Sequence, residues 1–371
     1  MHKPIPYVDL AAQHAPLKAE LLSAVAEVLD SGQFVLGPAV AEFEKALAEL
    51  CQTPHAIGVN SGTDALVLAL QAMGIGPGDE VITPTNSFVA SASAIALVGA
   101  RPVLADVGDD YQLSPLALEA AITPQTKAVI PVHLTGHPAP MREILEIAQA
   151  HQPHPLWVLE DAAQAIRAEY QGQRVGSLGH AGAFSLHPLK TLNACGDGGA
   201  LTLSNPEWLD AVLLRRNLGL RSRNDCEVWS SNSRLDSLQA AMLQVKLRHL
   251  ESWTLKRRAN AALYRRCLAD IPQVQSPIET PPAFAVYHTF VIRAQQRDKL
   301  QAFLSEKGIG TAIHYPVPIH LQTVGKALGY QYGDFPQAEQ QAQEILSLPI
   351  YPELSSEQIL RVCEAIGQFY H

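Results

Sequence analysis

Residues 156–164 read Leu156-Trp157-Val158-Leu159-Glu160-Asp161-Ala162-Ala163-Gln164, four apolar residues followed by two carboxylates and a run of small residues. A short, unbroken apolar run predicts a strand buried on both faces, and such strands belong to parallel sheets covered by helices. The same sign recurs upstream. Ala56-Ile57-Gly58-Val59 precedes an almost wholly apolar helix over 63–73 that Gly74 closes. Then come Glu80-Val81-Ile82, an alanine-rich helix ending near Gly99, and Pro102-Val103-Leu104. A further strand is expected over 127–134 and a helix over 141–151. This alternation predicts an α/β fold, a mainly parallel sheet with helices on both faces. Ligands of such sheets gather at the carboxyl ends of the strands, so the residues after each strand decide the chemistry.

Past residue 200 the alternation fades. Leu235, Leu238, Met242, Val245 and Leu250 fall on one helical face and predict a long helix joining two lobes. A strand over 286–294, a helix ending at Gly308, a strand near 311–314 and a closing helix over 356–370 predict a smaller α+β domain. The chain of 371 residues is long enough for one large and one smaller core. The expected division is 1–249 for the large domain and 250–371 for the small one. The proline-rich stretch 272–282 reads as a surface connection.

The net charge is -9, and no apolar run approaches the roughly 20 residues that span a bilayer. The opening Met1-His2-Lys3-Pro4 lacks the pattern of a signal peptide, so the cytoplasm is the expected compartment. Five cysteines without a Cys-x-x-Cys pair argue for reduced thiols rather than a disulfide framework or a thiolate zinc site. Lysines and arginines between Lys246 and Arg266 alternate with apolar residues at helical spacing. They predict a solvated helix face, and the negative charge disfavours nucleic acid. His133 and His137 are four apart but follow a strand and lack a third ligand, so no metal site is expected.

Three segments after strands could carry chemistry. Asn60-Ser61-Gly62-Thr63-Asp64 stands where a strand meets a buried helix, a place where free N–H groups and the helix dipole can hold a phosphate. The same residues also suit a plain helix cap. Asp161 is placed to meet a cationic ring nitrogen, and Gln164, one turn later, to meet a phenolic oxygen; a helix cap is again the plainer alternative. Phe184-Ser185-Leu186-His187-Pro188-Leu189-Lys190-Thr191 then leads into Gly196-Asp197-Gly198-Gly199-Ala200. A lysine fixed between a strand and a glycine-rich turn can be desolvated, which readies its amine for attack on a carbonyl. Phosphate cup, acid and lysine in this order suit one cofactor held by phosphate, ring nitrogen and aldehyde together.

The strings NSGTDAL, EDAAQA, FSLHPLK with GDGGAL, and NSRLDSLQAAMLQVKL resemble those of the DegT/StrS-type nucleotide-sugar aminotransferases. The likeness runs from Phe34-Val35-Leu36-Gly37-Pro38 to Leu348-Pro349-Ile350-Tyr351-Pro352. It implies the type I pyridoxal-phosphate (PLP) transferase fold, that of aspartate aminotransferase, and a homodimer whose active sites lie at the interface. It also implies Lys190 as the Schiff-base lysine, Asp161 as partner of the pyridine nitrogen and Gln164 near the phenolic oxygen. Phe88 matches the aromatic residue that stacks on the cofactor ring. Gly62, Thr63 and Ser185 match phosphate contacts, and Asn232 matches the residue that the partner subunit brings to the same phosphate. His314, Tyr315 and His320, in His314-Tyr315-Pro316-Val317-Pro318-Ile319-His320-Leu321, match a substrate-lining segment.

The expected reaction moves an amino group from L-glutamate to a keto sugar of a nucleotide diphosphate, with Lys190 shuttling the proton. Gly-Asp-Gly-Gly after the lysine is more similar to relatives acting on 3-keto sugars than to those acting on 4-keto sugars. Leu186, where many relatives carry an aromatic residue, and Thr191-Leu192-Asn193-Ala194-Cys195 depart from the commoner pattern. Two rivals stand beside this reading. One is a PLP lyase or dehydratase acting on a nucleotide sugar; the other is a non-catalytic regulatory protein of the same fold. An intact Lys190, Asp161 and Gln164 disfavours the second.

Overall fold

The structure is a computed structural model and describes residues 3–279 and 281–370. Seven strands form the central sheet: β1 (His55–Val59), β2 (Glu80–Pro84), β3 (Arg101–Ala105), β4 (Thr126–Val129), β5 (Trp157–Asp161), β6 (Ala181–Ser185) and β7 (Gly199–Leu203). Their order is β1-β7-β6-β5-β4-β2-β3. Only β7 runs antiparallel to its neighbours, β1 and β6; the other pairs are parallel. This is the α/β, mainly parallel sheet that the strand–helix alternation predicts.

The strands are apolar on both faces because both faces are covered. Leu66 and Leu70 pack with Val212 in one core beside the sheet. Phe43, Leu47 and Leu243 pack with Phe184 in another. Reversal of β7 has a functional consequence: its first residue, Gly199, lies opposite both Val59 and Ser185, at the edge where the parallel strands end. A Cβ on Gly199 would stand 2.2 Å from the carbonyl carbon of Ser61, so only glycine lets these segments meet.

The strand expected over 127–134 ends at Val129. Pro131 has no N–H to continue the ladder, and beyond it a single bridge joins Val132 to Asp161. The strand expected near 311–314 is likewise one bridge, between Ala312 and Ser347. The long helix breaks into Ser237–Leu247 and Leu250–Leu268. Leu235, Val245 and Leu250 are buried as the pattern predicts, while Leu238 and Met242 are half-buried.

The solvated basic face holds for Arg248, Lys256 and Arg266, which are exposed, and is corrected at two positions. Lys246 is fully buried and Arg257 is 5% exposed. The Lys246 ammonium donates to the carbonyl and Oδ1 of Asn193 at 2.8 and 2.6 Å, and meets His14 Nε2 at 2.8 Å. Sequence spacing could not reveal that the N-terminal segment and the loop after Lys190 cover this side.

A second core holds Tyr264, Phe290, Leu300, Leu346 and Ile366. It surrounds an antiparallel sheet of β8 (Val274–Gln275), β9 (Phe290–Ala294) and β10 (Ile345–Leu348), with β9 in the middle. Ile5 packs into the same core. The strand expected from residue 286 starts at Phe290, which leaves His288 and Thr289 free to line a cavity.

Candidate active site

At the carboxyl edge of the sheet lies a cavity of about 400 Å³ that extends to Arg257, His288 and His314. One end is built by the Gly62–Ala72 helix. Ser61 caps it by accepting from the Asp64 N–H at 3.1 Å, so its hydroxyl is used as the plain helix-cap alternative requires. The Gly62 and Thr63 N–H groups remain without a protein acceptor among the described residues. A Cβ on Gly62 would come within 2.9 Å of Ser185 Cβ, so glycine brings the helix start against the end of β6. Free N–H groups, the positive helix end and Ser185 form an anion cup.

The floor is Asp161, the last residue of β5 and buried. Its Oδ2 accepts from the Ser91 hydroxyl at 2.7 Å, and Ser91 is 2.8 Å from Ser87. Oδ1 accepts from the Ala163 N–H at 3.2 Å. The carboxylate before it is held separately: Glu160 accepts N–H groups from Gly176, Leu178 and Gly179 and meets His133 Nε2 at 3.0 Å. His133 Nδ1 accepts from the Ala139 N–H at 2.9 Å, so Nε2 carries the proton that Glu160 receives. His133 is thus a brace of the strand ends, and no metal cluster occurs among the described residues.

Lys190 lines the same cavity. Burial brings its amine down to about 8, against the opposing pull of the Asp161 carboxylate. A lysine in that range holds a useful fraction of neutral, nucleophilic amine near neutral pH. Burial and the Lys190 charge push His314 down to about 4, and burial followed by Asp161 pushes Tyr315 up to about 12. Both side chains are therefore uncharged in the working range.

Gln164 is oriented without ambiguity. Its Oε1 accepts from the Thr135 N–H at 2.7 Å, which turns Nε2 towards Tyr315 Oη, 3.4 Å away. Thr135 sits in the left-handed region at φ 64 to make that contact. Phe88 lines the cavity, is 56% exposed and lies 5.6 Å from the Tyr315 ring. His314 also lines it, with Nδ1 2.9 Å from Ser347 Oγ.

The cavity thus gathers Gly62, Thr63, Phe88, Asp161, Gln164, Ser185, Lys190, His314 and Tyr315. Two expected site residues lie outside it. His320 is fully buried, between Thr85 Oγ1 at 2.8 Å and Glu339 at 2.9 Å. Both ring nitrogens are taken, so it pins its segment to the end of β2 and does not face the cavity. Asn232 is exposed, and its carbonyl accepts from Asn60 Nδ2 at 3.3 Å. Residues the sequence reading passed over also line the cavity: Tyr7, Arg257, His288 and Thr289. None sits after a sheet strand, and Arg257 lies in the stretch expected to be solvated.

The sequence model of the DegT/DnrJ/EryC1/StrS aminotransferase family matches residues 16–367, and the chain belongs to that family. It is 45% identical to the dTDP-3-amino-3,4,6-trideoxy-alpha-D-glucose transaminase of Streptomyces venezuelae, over 98% of this chain and 96% of that one. It is also similar to the crystal structure of S. venezuelae DesV in complex with a ketimine intermediate, with a TM-score of 0.97 and 44% identity over 100% of this chain and 99% of that one. Bacillus subtilis NtdA with bound cofactor PMP gives a TM-score of 0.92 at 29% identity, over 99% of this chain and 85% of that one.

Proposed function

We propose that this chain is a pyridoxal-phosphate aminotransferase that moves an amino group from L-glutamate to carbon 3 of a keto sugar carried on a nucleotide diphosphate. One observation carries the reading. A single cavity holds a desolvated lysine, a buried carboxylate and a helix N-terminus with free N–H groups. Together with Gln164, these groups fit four handles of the cofactor. Gly62, Thr63 and Ser185 would take the phosphate, Asp161 the ring nitrogen, Gln164 Nε2 the phenolic oxygen, and Lys190 Nζ the aldehyde carbon. Phe88 would cover the ring.

Bound there, pyridoxal phosphate supplies an aldehyde that carries nitrogen and a ring that accepts electrons. Asp161, oriented by the Ser91 hydroxyl and the Ala163 N–H, would hold the proton on the ring nitrogen. Lys190 Nζ takes and returns the proton at the donor's α-carbon, as its lowered affinity for protons suits. Tyr315 and His314 stay neutral and offer hydrogen bonds without competing for that proton. The carbon-3 assignment rests on the Gly-Asp-Gly-Gly turn and on the 3-amino product named for the S. venezuelae relative.

Asn232 lies outside its own cavity, in the company of the exposed Trp229. In our reading it reaches the phosphate end of a second subunit's site across a two-fold interface. The chain has no helix long and apolar enough to cross a membrane among its described residues.

Mixing the loaded protein with L-glutamate alone tests the reaction class. A transaminase converts one equivalent of cofactor to pyridoxamine phosphate and stops, releasing 2-oxoglutarate. A lyase leaves the cofactor in its aldehyde form, and that result would remove the transaminase reading.

A further inference from the structure

Arg257 is buried, yet among the described residues no carboxylate lies within 4.0 Å of it. Its Nη1 donates to the carbonyls of Tyr287, His288 and Ile350, the last at 2.8 Å. Nε is buried without a partner, and Nη2 donates to no protein acceptor among the described residues. The free side of the guanidinium is therefore its Nε/Nη2 edge, two parallel N–H groups that match one carboxylate. Beside it, His288 Nδ1 and Thr289 Oγ1 are buried and also unpartnered. Burial and the Lys190 and Arg257 charges hold His288 neutral. All three residues line the cavity that contains Lys190.

From this geometry we infer that Arg257, with His288 and Thr289 around it, is the subsite for a carboxylate of the amino donor; the inference rests on the aminotransferase reading. Buried groups left unpaired are costly, and an incoming anion satisfies them. Besides Lys190, Arg257 is the only lysine or arginine lining the cavity among the described residues. A nucleotide diphosphate does not suit this place: one fork is open, Arg257 is 5% exposed, and a diphosphate brings bulk that must reach solvent. The phosphate cup at Gly62 is a separate part of the cavity. A donor's carboxylate seated at Arg257 would orient its amine within the cavity that Lys190 lines, so that recognition and chemistry share one space.

The test uses the pyridoxal-phosphate form of the parent and of Arg257→Gln and Arg257→Lys. Binding of glutarate, which is glutamate without its amine, is measured by calorimetry. Cofactor conversion by glutamate and by 1-aminopropane, a donor without carboxylates, is measured by absorbance. Arg257→Gln is expected to lose about 100-fold in glutarate affinity and in glutamate conversion, as for a buried charge stripped of its partner. Conversion by 1-aminopropane falls much less, because that donor brings no carboxylate to the fork. Should Arg257→Gln not fold, Arg257→Lys keeps a cation and is expected to lose about tenfold towards glutamate alone, because an ammonium lacks the fork. Unchanged glutarate binding, or an equal fall with both donors, overturns the assignment. A parent that converts no cofactor with glutamate contradicts the aminotransferase reading and this subsite together, whereas an active parent with unaffected variants contradicts the subsite alone.

Discussion

The Ser91 hydroxyl donates a 2.7 Å hydrogen bond to Oδ2 of Asp161, and Ser87 stands 2.8 Å behind it. A hydroxyl that donates to a carboxylate oxygen makes a charge-assisted hydrogen bond and fixes the carboxylate's orientation. Ser91→Ala removes the donor that fixes the Asp161 carboxylate and should weaken its hold on a ring proton. Bonds to charged groups contribute about 1.5–3 kcal/mol, so the glutamate half-reaction should slow about tenfold or more. Ser91→Thr, which keeps the hydroxyl, should behave as the parent. Equal rates for Ser91→Ala and the parent in stopped-flow absorbance would remove Ser91 from the site.

Lys190 makes a prediction on the cofactor-free protein. The neutral amine attacks an aldehyde, so the rate of reconstitution with pyridoxal phosphate should rise with pH and level off above about 8. Asp161 raises that midpoint by favouring the ammonium, and Asp161→Asn should move it lower. A midpoint near the ordinary lysine value of 10.5 would mean that Lys190 is not desolvated.

His320 is expected to matter for stability. His320→Ala removes the imidazole that joins the Thr85 hydroxyl to the Glu339 carboxylate, leaving Glu339 only its N–H donors from Gly333 and Phe335. Leaving a buried polar group without its hydrogen bond costs about 1–3 kcal/mol, and denaturant unfolding should reveal a loss of that order. A variant as stable as the parent with a raised KM for the sugar would instead return His320 to substrate binding.

The cross-subunit placement of Asn232 predicts complementation. Asn232→Asp sets a negative charge beside a phosphate, and Lys190→Ala removes the amine, so each homodimer should be inactive at low cofactor concentration. Mixed dimers contain one site with both changes and one with neither. Refolding an equal mixture should restore about a quarter of the parent activity, because about half the dimers are mixed and each has one intact site. Proven mixed dimers without recovery would mean that Asn232 does not act across the interface.

The sheet was legible because parallel strands buried on both faces declare themselves as apolar runs, and the residues after them, Gly62, Asp161 and Lys190, follow in order. Less legible was anything fixed by tertiary cover. Arg257 and Lys246 sit at helical spacing like solvated side chains, and only packing of the N-terminal segment and the second core buries them. His320 has the sequence context of a lining residue, yet its role depends on Thr85 and Glu339, which are distant in sequence. Tyr7 and His288 reach the cavity from segments without strand–helix alternation, so no local pattern marks them. The strand over 127–134 failed where proline interrupted the ladder, a signal that was visible in Pro131.

The central claim is amination at carbon 3 of a nucleotide-linked keto sugar. The most direct test is to incubate the pyridoxal-phosphate form with L-glutamate and, in parallel, 3-keto and 4-keto nucleotide sugars, and to assign the new amine by NMR. Our account predicts glutamate-dependent product from the 3-keto substrate, with nitrogen on carbon 3 and none formed by Lys190→Ala. Product carrying nitrogen only on carbon 4, or formed equally by Lys190→Ala, would contradict it.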